Sequence, residues 1–202
     1  MIANVEKKVS LKSKQEIPDY LIREVIYGKP YHYKDYQSVL NQEKTLEDII
    51  GSSRLQSILL AILYTYFSNL FDEEYWILAN EAGLHLDKND NLSMDLALLK
   101  KSKLPIEKID THYFEEIPTC IVEVDVNIDL TNPQNQDYVF QKTQRLLDFG
   151  TSEVIWILTK SRKIMVAKPN QPWIVDNWDK AITVLEHSFV LEDLLREKGM
   201  IA

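Results

Sequence analysis

The ten residues "IVEVDVNIDL", Ile121 to Leu130, constrain the fold more than any other stretch of the chain. Read as a strand, they place Val122, Val124, Val126, Ile128 and Leu130 on one apolar face. The opposite face carries Ile121, Glu123, Asp125, Asn127 and Asp129. Side chains two positions apart on a strand stand roughly 6–7 Å from one another along it. Three carboxylates in that row repel unless water or a cation lies between them. Two readings fit: the wet face of an antiparallel strand, or a metal site.

The flanking segments set the fold class. Asn132-Pro133 opens a helix that Gly150 closes, which predicts a helix over Pro133 to Phe149. A second helix is expected from about Arg54 to Phe71, capped by Ser52 or Ser53, with Leu55, Leu59, Ile62, Leu63, Tyr66 and Leu70 at helical spacing. Ahead of it "KTLEDIIGSS" reads as a short helix stopped by Gly51. "DYLIREVIYGKPYHY" reads as two short strands around Gly28-Lys29-Pro30. Further strands are expected at Trp76–Asn80, Leu84–Leu86, Ser93–Leu99 and Thr119–Val126, then at "EVIWIL", "KIMVAK", "WIVDNW" and "AITVLE", before a last helix from about Leu191. Strands and helices mix without strict alternation. The expected class is therefore α/β, a mixed β-sheet flanked by helices, with an N-terminal β-hairpin and a C-terminal β extension. At 202 residues it suits one domain over 1–202, with 1–18 read as a flexible N-terminal segment.

Composition excludes several classes. A net charge of −8 argues against broad, sequence-blind adhesion to nucleic acid, although it allows a narrow basic channel. Lys100, Lys101 and Lys103 form one short basic cluster and "KSRK" near Lys160 another; each also reads as a solvated turn. The lone Cys120 permits no internal disulfide and fits a reducing cytosol. The N-terminal stretch has no apolar signal core, and "LQSILLAILYTYFSNLF" is too short and too often interrupted to span a bilayer, so a soluble, cytoplasmic protein is expected. No GxGxxG, GxxxxGK[ST] or GxSxG occurs. His32, His85, His112 and His187 show no ligand spacing, and one cysteine makes structural zinc improbable.

Carboxylates and lysines remain. Asp95 interrupts the apolar run "LSMDLALL", where a charge is costly unless paired, metal-bound or at a rim. On the predicted helix Val139, Phe140, Thr143, Leu146 and Leu147 form the buried arc, and Lys142 falls beside it. That lysine either snorkels to water or points at the acidic strand, where it offsets the carboxylates and stabilises negative charge on phosphate.

The order "SMDLALL", "IPTCIVEVDV", "DYVFQKTQRLLDFGTSEVIWIL" resembles the Uma-two family of bacterial restriction-endonuclease-like proteins, within the PD-(D/E)XK nuclease superfamily. The early "REVIYGKP" resembles that family's Glu-Leu-x-x-Gly opening. The likeness runs from about Asp19 to Leu195, and order and spacing carry it rather than any one stringent motif. It implies a restriction-endonuclease-like sheet and a metal-dependent endonuclease using Mg²⁺ or Mn²⁺. By position, Asp95 and Glu123 match the family's acidic metal ligands, and Lys142 matches a helix lysine that replaces the motif lysine. Two departures stand out: Met94 where proline is usual, and Asp125 where the superfamily places lysine. Asp125 is then a candidate additional ligand, and Glu81 a further acid of the site or a plain loop charge. The implied partner is nucleic acid, DNA ahead of RNA, with no membrane and a possible homodimer through "WIVDNW". Two rivals are a nuclease-like fold kept as a binding or scaffold module without catalysis, and a carboxylate-pair glycosidase, for which nothing in the sequence speaks.

Overall fold

A computed structural model describes residues 17–88 and 90–201; the expected flexible segment lies almost wholly outside them. In chain order the elements are β1 (Ile22–Ile26), β2 (Lys29–His32), α1 (Tyr36–Leu40), α2 (Arg54–Phe71), β3 (Tyr75–Asp87), β4 (Asp90–Lys100) and β5 (Cys120–Asp125). There follow α3 (Pro133–Phe149), β6 (Glu153–Leu158), β7 (Lys163–Ala167), β8 (Ile174–Asn177), β9 (Ala181–Val184), β10 (His187–Val190) and α4 (Leu191–Glu197). Eight strands form one mixed sheet in the order β2-β1-β4-β5-β6-β7-β8, with β3 paired to β4. β5 and β6 pair in parallel, Glu123 beside Trp156. Parallel neighbours need a crossover, and α3 supplies it.

The helix boundaries follow local chemistry. Asn132 Oδ1 accepts from the Gln134 and Asn135 amides, Pro133 sits in the first turn, and Gly150 ends α3 at φ 112°. Ser53 Oγ accepts from the Gln56 amide and starts α2. The β1–β2 turn is Tyr27-Gly28, both at positive φ, one residue earlier than expected.

The sheet is covered on both faces. Leu59, Leu63 and Phe67 of α2 pack on Leu96, Leu98, Val122, Val124, Ile155 and Ile157, and Ile182, Val184, Leu191 and Leu195 extend that core. On the other face Val139, Leu146 and Leu147 of α3 meet Ala97, Ile121, Val154, Trp156 and Leu158. β5 and β6 are thus buried on both sides, as parallel pairs usually are.

The strand expected at Thr119–Val126 is β5, but the alternation that "IVEVDVNIDL" continues to Leu130 is not strand: β5 ends at Asp125, and Asp125 Oδ1 accepts from the Asn127 and Ile128 amides, both at 2.6 Å. A side chain that bonds the next amides competes with a ladder, so the chain turns there. "KTLEDII" makes turns rather than a helix, because Asp48 Oδ2 takes the Thr45 amide and hydroxyl and closes a single turn. The predicted strands Trp76–Asn80 and Leu84–Leu86 are one strand, bent where Asn80 and Glu81 adopt positive φ at a register shift against β4. β10 was not anticipated, and Phe140, placed in the buried arc, is exposed and packs on Trp173. Among the described residues no helix is long and apolar enough to cross a membrane.

A buried polar bond to β6 helps tie α3 to the sheet. Trp156 Nε1 donates to Thr143 Oγ1 at 2.8 Å, and that hydroxyl donates to Val139 O at 2.6 Å. Replacing Thr143 by Val keeps the shape and orphans the indole N–H. Urea unfolding of Thr143→Val should show a loss of about 1–3 kcal/mol; an unchanged midpoint would contradict this anchoring.

Candidate active site

Lys142 lies beside Thr143 on the face of α3 that meets the sheet, and none of its surface reaches solvent. A buried ammonium has three N–H donors to satisfy. Here Nζ donates to Glu24 Oε1 at 2.9 Å, Glu123 Oε2 at 2.9 Å and the Ser93 carbonyl at 2.8 Å. The expectation that this lysine snorkels is excluded.

The acceptors gather where the sheet forks. β4 pairs with β1 at Val25–Asn91 and with β5 from Leu96–Val122 onward. Between these contacts that edge of β4 has no strand partner, and side chains take the ladder's place. Glu24 Oε1 accepts from the Ser93 amide and hydroxyl, each at 3.0 Å, while Lys142 takes the Ser93 carbonyl. Asp95 Oδ2 accepts from the Val124 amide at 2.8 Å. Continuing the β4–β5 register by one residue sets Asp95 opposite Glu123, so both acids stand on the α3 face. Glu24 Oε2 is held by the Tyr138 hydroxyl at 2.7 Å.

Of three buried carboxylates, Glu24 and Glu123 therefore share one buried ammonium, and Asp95 feels its charge without an ion pair to it. Their environments drive them apart. Burial opposes ionisation of Glu24, but Lys142 and Arg23 outweigh it and hold the acid down at about 2. Burial pushes Glu123 up to about 8; Lys142 opposes this, while Asp95 and Glu24 add to it. Burial also raises Asp95. Lys142 is held well above its ordinary value, since Glu123 and Glu24 overcome the burial that disfavours its charge. Glu123 Oε1 is buried without a hydrogen-bond partner.

The donor set suits a hard divalent cation. Mg²⁺ is commonly held by one or two carboxylates, with water and substrate phosphate completing its shell. Glu24 is spent on Ser93, Lys142 and Tyr138, so the oxygens that could hold such an ion are those of Asp95 and the unpartnered one of Glu123. Among the described residues no group of three or more acid, histidine or cysteine side chains is arranged to hold an ion by itself, so substrate and water would fill most of the shell.

Of the residues singled out in the sequence, Asp95, Glu123 and Lys142 are brought together. Asp125 is at the mouth, its Oδ1 committed to the turn after β5. Glu81 is exposed on the β3 bend and acts on Asp95 only through its charge. The four histidines are not within the cluster: His32 stacks on Tyr36 and His85 bonds Asn91. Glu24 and Tyr138 were missed. Glu24 had a signal, because Ile22, Glu24 and Ile26 share one strand face and an acid between two isoleucines needs a partner. Tyr138 precedes Lys142 by one helical turn.

No family model matches the chain, and no curated protein matches it. Among solved structures it is similar to a protein from Anabaena variabilis described as a "putative nuclease belonging to DUF820". That likeness has a TM-score of 0.61, covers 86% of this chain and 89% of the other, and is 16% identical. The type IIG restriction endonuclease BpuSI aligns over 58% of this chain but 12% of its own length, at 16% identity and a TM-score of 0.37, too loose to carry an inference. At such identity the first likeness speaks to architecture. The chain has a restriction-endonuclease-like fold, a mixed sheet flanked by helices.

The raised Glu123 carries a pH signature. Between 4.5 and about 8 the folded protein keeps a proton that the unfolded chain has released. Stability therefore falls as pH rises across that window and levels off above it. Glu123→Gln should abolish this decline, on the order of a few kcal/mol, in denaturant titrations across the window. Lys142→Met strands two carboxylates and should cost about 3–5 kcal/mol at neutral pH. A wild-type stability that climbs toward pH 8 would contradict the assignment.

Proposed function

We propose that the protein is a divalent-metal-dependent endonuclease that hydrolyses phosphodiester bonds of nucleic acid, DNA ahead of RNA, with Mg²⁺ or Mn²⁺ bound by Asp95 and Glu123. The observation that carries this reading is the buried, unpartnered Oε1 of Glu123 beside Asp95, in a cluster with more carboxylates than cations. The restriction-endonuclease-like fold and the resemblance of the motif order to the Uma-two family support it.

In this reading Asp95 and Glu123 bind, and Lys142 orients Glu123 by holding its Oε2, which leaves Oε1 free for a cation. Glu24 and Tyr138 position Lys142: the glutamate accepts from both and is fixed against Ser93. A divalent ion supplies acidity to a coordinated water and polarises a phosphate oxygen. With all three N–H groups of Lys142 engaged inside the protein, its role toward phosphate is electrostatic. Asp125, at the superfamily's lysine position, closes a turn, and its charge acts on Arg23, one of the cations lining the adjoining groove.

The same full use of Lys142 favours the rival reading, a nuclease-like fold without catalysis, and one experiment separates them. Purified protein incubated with labelled DNA and RNA plus Mg²⁺ or Mn²⁺ should cleave. Asp95→Ala and Glu123→Ala should each lose roughly a hundredfold or more. Cleavage undiminished in both variants contradicts the site. Absence of cleavage, with a metal-dependent rise in melting temperature that Asp95→Asn removes, leaves a metal-binding module without hydrolysis.

A further inference from the structure

Beside the cluster lies a groove of about 800 Å³, walled by β2, the β2–α1 connection and the start of α3. Four tyrosines, Tyr31, Tyr33, Tyr36 and Tyr138, are among the residues that line it. Tyr36 stacks on His32 with centroids 4.7 Å apart, and Tyr31 meets Tyr138 at 5.3 Å. Tyr138 is also the residue whose hydroxyl grips Glu24, so the groove leads to the candidate active site.

Its charges are nearly balanced. Arg23, Lys29 and Lys34 face Asp35, Asp125 and Asp137. Lys29 is paired to Asp137 at 2.7 Å, and Asp35 to Lys44 at 2.8 Å. Lys34 donates to the neutral Asn127 side chain, and Arg23 lies over the Tyr138 ring, where its charge also acts on Glu24. At most these two cations face phosphates, too few for the backbone of a duplex, which is gripped through many. Aromatic faces, in contrast, hold unpaired bases whatever their sequence.

We infer that this groove binds a single-stranded segment of nucleic acid, its bases stacked on the tyrosines and its backbone led by Arg23 toward Asp95 and Glu123. The inference rests on the nuclease reading for the direction of the strand and on the groove alone for the binding. It predicts a substrate with an unpaired stretch at the cleavage point, such as a single strand, flap or splayed end.

The test is binding of the full chain to labelled oligo-dT, oligo-U and a duplex of equal length, by fluorescence anisotropy with EDTA present so that no metal chemistry contributes. Single strands should bind more tightly than the duplex, with a shallow log–log salt slope of about −1.4 for two phosphate contacts. Tyr33→Ala and Tyr36→Ala should each weaken binding roughly tenfold, and Tyr36→Phe should restore it. Melting temperatures identify any variant that fails to fold, and Tyr33→Ala then carries the test alone. Equal or stronger duplex binding, indifference to both alanine variants, or no binding to any strand would overturn the groove. None of these results touches metal-dependent stabilisation at Asp95, which tests the active site separately. Preference for oligo-dT or oligo-U sorts DNA from RNA within the same chemistry.

Discussion

Burying an ammonium costs several kcal/mol unless every donor finds an acceptor, and the centre of this molecule is arranged around meeting that demand for Lys142. Two acceptors are carboxylates from strands far apart in the chain, Glu24 on β1 and Glu123 on β5, and the third is the Ser93 carbonyl of β4 between them. The three strands meet at a fork in the sheet, where Ser93 would otherwise leave an amide and a carbonyl unpaired. One interaction set thus closes the gap in the ladder, fixes α3 against the sheet and holds one oxygen of Glu123.

The electrostatics of the cluster connect stability with ligand affinity. Glu24, with Lys142 and Arg23 acting on it, stays ionised, while at Glu123 burial, aided by the charges of Asp95 and Glu24, outweighs Lys142 and holds the proton to about 8. A site with surplus carboxylates and an unpartnered oxygen is strained toward accepting positive charge, whether a proton or a metal ion. Binding a cation must release that proton, so affinity should strengthen with pH up to the same value. Stability and affinity trade against one another at a single carboxyl group.

Much of this was legible in the residues. Asn132-Pro133 and Gly150 fixed the ends of α3, Ser53 the start of α2, and Asp95, Glu123 and Lys142 drew attention as charges within apolar surroundings. What misled was local regularity. Val126, Ile128 and Leu130 prolong the alternation of β5, yet the Asp125 carboxylate ends the strand by capping the next amides, a choice invisible to periodicity. The depth of Lys142 was also hidden, because a helical wheel places a residue around an axis and says nothing of acceptors waiting opposite. Those acceptors come from β1, and Glu24 was passed over although its isoleucine neighbours on the same face marked it as buried.

The central claim is that Asp95 and Glu123, steadied by Lys142, form one divalent-cation site. A crystal soaked in Mn²⁺ above pH 8 and measured at the manganese edge tests it directly. The expected result is one anomalous peak within coordination distance of the Asp95 and Glu123 carboxylates, with Glu123 Oε2 still on Lys142. Manganese bound elsewhere with this pair left empty, or Lys142 turned away from Glu123, would contradict it.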